Sequence, residues 1–168
     1  MTFSTRPGPS WRALRNRTAP RSWTTCAWPS GWPGSGRDDF AATANSSGDV
    51  ILEKVSCTNF SADASSSGDV SVKNLNAANV SADASSSGDV ILVGICENAS
   101  YRASSSGDVK AKGMKAVNVT ASASSSGDVE CYVTGSLTAK ASSSGEVAYK
   151  GNPKNIDFSP KRGLRKIE

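Results

Sequence analysis

The sequence predicts an all-β fold, a single-stranded parallel β-helix of about six to seven coils with a period of about 20 residues, and three observations carry that prediction. First, Ala-Ser-Ser-Ser-Gly-Asp-Val recurs with small variations between positions 44 and 147, its glycines Gly48, Gly68, Gly88, Gly107, Gly127 and Gly145 keeping a nearly constant interval. A fixed period of this length marks a solenoid, in which each repeat buries its apolar face by stacking on its neighbours. Second, apolar and polar residues alternate with period two on both sides of each glycine, the mark of strands with one buried face. Third, 37% hydrophobic and 7% aromatic residues are too few for a layered core of a 168-residue domain but suit the thin core of a solenoid.

Residues 1–39 stand apart. They hold six arginines against Asp38 and Asp39, all four tryptophans, five of the seven prolines and no lysine, and they follow neither period 2 nor period 3.6. An irregular basic segment is expected there. Either it is an aromatic-interleaved arm for nucleic acid or a membrane surface, or it is a leader or out-of-frame stretch joined to the repeat domain.

From residue 40 to 168 the β-helix domain is expected. Eight positions before the glycine stand Phe40, Phe60, Val80, Ala99, Val119 and Leu137; six before stand Ala42, Ala62, Ala82, Tyr101, Ala121 and Ala139; four before, every copy has alanine. Two positions after the glycine every copy has valine, and four after come Leu52, Val72, Leu92, Ala111, Cys131 and Tyr149. A third apolar row falls near Val55, Leu75, Ile95 and Met114, so three short strands per coil are expected. The alanine of every copy fits a narrow corner, and glycine is expected to supply the permissive backbone there. Stacked at about 4.8 Å, the coils make a rod of roughly 30 Å.

The C-terminal stretch, about 151–168, is expected to cap the rod. Gly163 follows Gly145 at the interval by which Gly145 follows Gly127, as a degraded last coil would require, and Pro153, Pro160, Lys161, Arg162, Arg165 and Lys166 suit the blunting of a sheet edge. An edge left open allows copies to associate.

The net charge of +4 resides in the first forty positions, which hold six of the 19 basic and two of the 15 acidic groups. That leaves 13 of each sign in the rest of the chain, so no nucleic-acid partner is expected for the repeat domain. No run of eighteen apolar residues is present, and no apolar stretch follows the early arginines as in a signal peptide. Cys26, Cys57, Cys96 and Cys131 lack zinc spacing, and Cys131 stands where other copies have Leu, Val or Ala, as a buried thiol would.

The repeated Ser-x-Ser-Gly-Asp-Val, the segment Leu75-Asn-Ala-Ala-Asn-Val80, and the closing Ser136-Leu-Thr-Ala-Lys and Tyr149-Lys-Gly-Asn-Pro153 resemble the putative auto-transporter adhesin family, or head GIN domain proteins, over about residues 40–168. The resemblance implies a right-handed β-helix in an exported bacterial envelope or surface protein, extracytoplasmic and without established enzymatic activity. Two departures stand out. Where the family has a second glycine, two positions before the first, this chain has Ser46, Ser66, Ser86, Ser105, Ser125 and Ser143, and residues 1–39 match neither the export signal nor the β-rich region that family members carry.

The outward rows limit the chemistry. Asp49, Asp69, Asp89, Asp108, Asp128 and Glu146 form an acidic ladder whose like charges repel by under about 1 kcal/mol per pair in water-like dielectric. A row of Ca²⁺ ions would offset this, as would hydrogen bonds from corner N–H groups and serines; the second reading is favoured, because the nonapeptide of calcium-binding β-rolls is absent. The hydroxyl row of Ser47, Ser67, Ser87, Ser106, Ser126 and Ser144 offers a face for ice or glycan, against the plainer reading of solvated corners. With no histidine and no room for loops between coils, an enzyme is not expected, a polysaccharide-processing β-helix ranking third. The function expected is a non-catalytic surface module for adhesion or protein interaction, followed by a calcium- or glycan-binding solenoid.

Overall fold

Alternating inward Ala, Val and Leu leave each strand apolar on one face, and the chain buries that face by coiling. The structure, a computed structural model, describes residues 25–27, 39–159 and 163–167. Its strands are β1 (Thr25–Ala27), β2 (Asp39–Ala44), β3 (Val50–Leu52), β4 (Val55–Ala64), β5 (Val70–Ala84), β6 (Val90–Ala103), β7 (Val109–Ala123), β8 (Val129–Ala141), β9 (Val147–Lys150), β10 (Asn155–Ser159) and β11 (Leu164–Lys166). Among the described residues there is no helix, and each coil pairs in parallel with the next, which makes the fold a β-solenoid. Through β2, β4, β5, β6, β7 and β8 the row eight before the glycine stacks in register as Phe40, Phe60, Val80, Ala99, Val119 and Leu137, and in β10 Ile156, seven before Gly163, continues it on Leu137.

The inward rows are those the alternation assigns. The alanines four and six before the glycine and the valines two after it are buried, with Tyr101 buried in the place of an alanine. Phe40 and Phe60 stack with ring centroids 5.8 Å apart. Cys131 is buried, and burial pushes its thiol up to about 12 and that of Cys96 to about 11. Both are therefore poor nucleophiles at neutral pH.

Three details differ from the expectation. The three short strands per coil run together, β5 and β7 each extending unbroken over 15 residues. Ile95 is 55% exposed, because the coil that contains it is one residue short, lacking one between Leu92 and Gly94. Two residues of β5, Lys73 and Asn74, lie opposite Val93 alone, so Gly94 pairs with Leu75 and Ile95 points outward with Asn76. The third concerns the corner. The repeat glycines from Gly48 to Gly145 do not have positive φ; the residues that do are the middle serines, Ser46, Ser66, Ser86, Ser105, Ser125 and Ser143, at 59–62°. Glycine is needed for space: a Cβ on Gly127 would lie 2.7 Å from the Gly107 carbonyl oxygen of the coil below.

The corners bond upward like the strands. Ser67 N–H donates to the Ser46 carbonyl at 2.7 Å and Val70 N–H to the Asp89 carbonyl at 2.9 Å, while Gly68 N–H closes the turn on Ser65 at 3.2 Å. At the C-terminal end β10 pairs in parallel with β8 and β11 with β9, so the expected cap is a further coil in register, with Val147 N–H donating to Gly163 at 2.6 Å. Of the residues expected to blunt that edge, Pro160, Lys161 and Arg162 lie outside the described residues. At the other end β1 lies antiparallel on β2, Cys26 opposite Ala42. Apart from Thr25–Ala27 and Asp39, the basic segment expected over 1–39 also lies outside the described residues.

Candidate functional site

The acidic ladder forms as the repeat requires, one carboxylate per coil just after the corner glycine. Each Oδ1 accepts from the backbone N–H of the acidic residue in the next coil: Asp49 from Asp69 at 3.4 Å, Asp69 from Asp89 at 3.0 Å, Asp89 from Asp108 at 3.2 Å, Asp108 from Asp128 at 3.1 Å and Asp128 from Glu146 at 3.0 Å. The N–H donors come from the coil above, and no corner serine is among these bonds. Lys110 reaches into the row, 2.5 Å from Asp89 Oδ2 and 3.5 Å from Asp108 Oδ2, and Arg165 pairs with Glu146. The hydrogen bond to Asp89 is the chief reason that the Lys110 ammonium titrates above its usual range. Among the described residues no three His, Cys, Asp or Glu side chains converge as a metal site. The hydroxyl row Ser47, Ser67, Ser87, Ser106, Ser126 and Ser144 stands exposed at the corners.

A second polar ladder carries more structure. Asp39, Asn59, Asn79, Asn98 and Asn118 stack nine positions before the glycine, and each asparagine Nδ2 donates to the Oδ1 below: Asn59 to Asp39 at 2.6 Å, Asn79 to Asn59 at 2.8 Å, Asn98 to Asn79 and Asn118 to Asn98 at 3.0 Å. Sequence reasoning aligned the apolar positions and missed this row. Its signal was present, an asparagine nine before the glycine in four consecutive copies.

Beside the amide row lies a groove of about 690 Å³ crossing five coils. Period two puts the residues nine and seven before the glycine on the same outer face, so amides form one wall and Ser61, Ser81, Ser100 and Thr120 the other. Phe40, Phe60, Val80 and Ala99 lie along its floor, with Phe60, Val80 and Ala99 turned into the core. Among the described residues Asp39, at one end, is the one charged side chain on its lining. Behind the hydroxyl wall, Ser61 and Ser81 donate to Asp63 and Asp83 at 3.4 and 3.5 Å. Burial, and then Asp63 on the adjacent coil, raise the Asp83 carboxyl above its ordinary value, against the opposing effects of Arg102 and Ser81. A smaller hollow of about 380 Å³, bordered by the exposed Ile95 and Val117, opens elsewhere on the rod.

The geometry has known counterparts. A putative adhesin from Bacteroides fragilis NCTC 9343 is 26% identical, with a TM-score of 0.62 over 71% of this chain and 54% of its own. A putative lipid binding protein from Parabacteroides distasonis ATCC 8503 is 28% identical, with a TM-score of 0.54 over 77% of this chain and 52% of its own. The chain thus spans about half the length of these two structures. No curated protein matches it. Residues 40–153, the stacked coils from Phe40 to the start of the last one, match the family described as "Putative auto-transporter adhesin, head GIN domain". With the corner motif in register from Gly48 to Gly145 and a match over most of its length, the chain belongs to the putative auto-transporter adhesin family of head GIN domains.

Proposed function

We propose that the chain is a non-catalytic binding module of a bacterial envelope or cell-surface protein, a stiff rod that displays a contact face for adhesion outside the cytoplasm. The observation that carries this reading is the groove, whose amide wall is held by side-chain hydrogen bonds from coil to coil before any ligand arrives. A face ordered in advance loses little side-chain entropy on binding. The adhesin description of the family and of one solved relative supports the role, as does the bacterial origin of both relatives. The chemistry of the face supports a non-catalytic role: the chain has no histidine, and Asp39 is the one charged side chain among the groove's described residues.

The test uses beads coated with the full chain and passed over fixed bacterial and host-cell surfaces. Ser81→Trp fills the groove, and Ser87→Trp places the same bulk on an exposed corner. Retention lost on the first variant alone is the expected result; equal retention by both removes the groove as the contact face. Cell fractionation of the native producer, with the protein recovered from envelope rather than cytosol, checks the location.

A further inference from the structure

The groove's ligand follows from what its two walls can exchange. Asn59, Asn79 and Asn98 each spend one N–H on the coil below and accept one from above, which leaves one N–H and one oxygen lone pair per coil facing outward. Ser61 and Ser81 donate away from the groove to Asp63 and Asp83, so their oxygens remain as acceptors. The amide wall therefore presents a donor and an acceptor per coil and the hydroxyls of Ser61 and Ser81 an acceptor each, repeating at the coil spacing of about 4.8 Å. That pattern matches a chain of hydroxyl groups, each of which donates and accepts.

The same walls exclude other partners. Among the described residues no cationic side chain lines the groove, Asp39 closes one end, and behind the hydroxyl wall Asp63 and Asp83 outnumber the Arg102 that pairs with Asp83, so anionic chains and phosphate headgroups meet net repulsion. A peptide binding by strand addition needs an unpaired edge, and the floor of the groove is strand backbone already paired above and below. An acyl chain or an apolar anchor needs a deep enclosed pocket, and this groove is shallow and open to solvent, with the side chains of Phe60, Val80 and Ala99 buried beneath its floor.

From this we infer that the groove binds an unbranched neutral polysaccharide strand lying parallel to the rod axis, its hydroxyls bridging the Asn59, Asn79 and Asn98 amides to the Ser61, Ser81 and Ser100 hydroxyls. The inference rests on the groove being the contact face. Partly buried Phe40, stacked on Phe60 near the Asp39 end, gives one terminal sugar ring an aromatic neighbour. Five coils span about 19 Å, so a hexasaccharide covers the site.

Calorimetric titration of the full chain with three neutral hexasaccharides, β-1,3-gluco-, β-1,4-manno- and β-1,4-xylo-hexaose, and with galacturonate hexamer, tests it. At least one neutral hexaose is expected to bind, galacturonate at least about tenfold more weakly, and Asn79→Ala with Asn98→Ala to weaken the neutral ligand about tenfold. Ser81→Trp, which leaves the amide ladder whole, is the second variant should the alanine pair fail to fold. Binding by none of the three neutral chains, equal binding of galacturonate, or binding indifferent to both variants overturns the inference. Bead retention separates the two proposals: retention that needs the groove but is not competed by the hexaoses keeps the contact face and discards the sugar.

Discussion

The middle serine of each corner sits at a φ of 59–62°, where an L side chain crowds its own carbonyl and glycine does not. Replacing Ser66, Ser86 and Ser105 by glycine relieves about 1 kcal/mol of strain per site, offset in part by the freer unfolded chain, so a rise in melting temperature is expected. Gly107→Ala should instead destabilise by about 1–3 kcal/mol, because the atoms in its way, the Gly88 oxygen at 2.8 Å and the Ser85 nitrogen at 2.9 Å, are backbone. The sequence made both residues visible and exchanged their roles. Repetition marks a position as required without saying whether torsion or space requires it, and only the coil below, one full period away along the chain, supplies the second answer. Asp83 gives a pH signature. Its carboxyl titrates above the ordinary value in the folded chain, so the fold binds more protons than the unfolded chain between the two values and loses stability as pH rises through that window. Asp83→Asn keeps an acceptor for Ser81 and removes the charge, so thermal melts should show a gain at neutral pH that disappears below the ordinary carboxylate range near 3.8.

At the scale of the strand, the coil between Gly88 and Gly107 shows how a solenoid absorbs a missing residue. β6 is one residue short opposite Lys73 and Asn74, Asn74 takes a φ of 56°, and Gly94 passes so close that a Cβ would fall on the Leu75 carbonyl. Gly94→Ala should therefore cost at least about 3 kcal/mol, whereas Ile95→Lys, on the exposed side, should change stability by no more than about 0.5 kcal/mol; chemical denaturation measures both. Strand positions near the glycine were legible because the alternation there is counted from a fixed point. Ile95 was not, because the deletion lies between it and that point, and hydrophobicity alone does not reveal a shift of one. The asparagine ladder was passed over for a different reason: a polar residue on an outer face reads as ordinary solvation until its neighbours above and below are known. The acidic ladder was legible as a row, but its partners were not. With one oxygen of Asp49, Asp69, Asp89, Asp108 and Asp128 accepting an N–H and Lys110 between two of the carboxylates, millimolar Ca²⁺ is expected to leave the melting temperature unchanged. A rise of several degrees would restore the metal row.

For the whole molecule, each coil contacts mainly the coils directly above and below it, so stability should be close to a sum over coils and their interfaces. This makes whole coils removable where single residues are not. Excising residues 69–88 joins Gly68 to Asp89 and removes one complete period, so Phe60 comes to lie under Ala99 and Val50 under Val90 with every inward row preserved. The shortened chain is expected to unfold cooperatively, with a denaturant m-value lower by about a seventh and a heat-capacity change smaller by about 0.25–0.3 kcal/mol/K. One alanine inserted between Ala82 and Asp83 adds far less mass but turns the rest of the strand inside out, and should damage the fold more than losing the entire coil. The excision also removes Asn79 and Ser81, one rung of the groove, while Asn98 moves directly above Asn59 and the amide ladder closes again. If the groove binds along its length, affinity should fall by one rung's share and remain measurable; abolition of binding would instead place the contact at Asn79 and Ser81 alone.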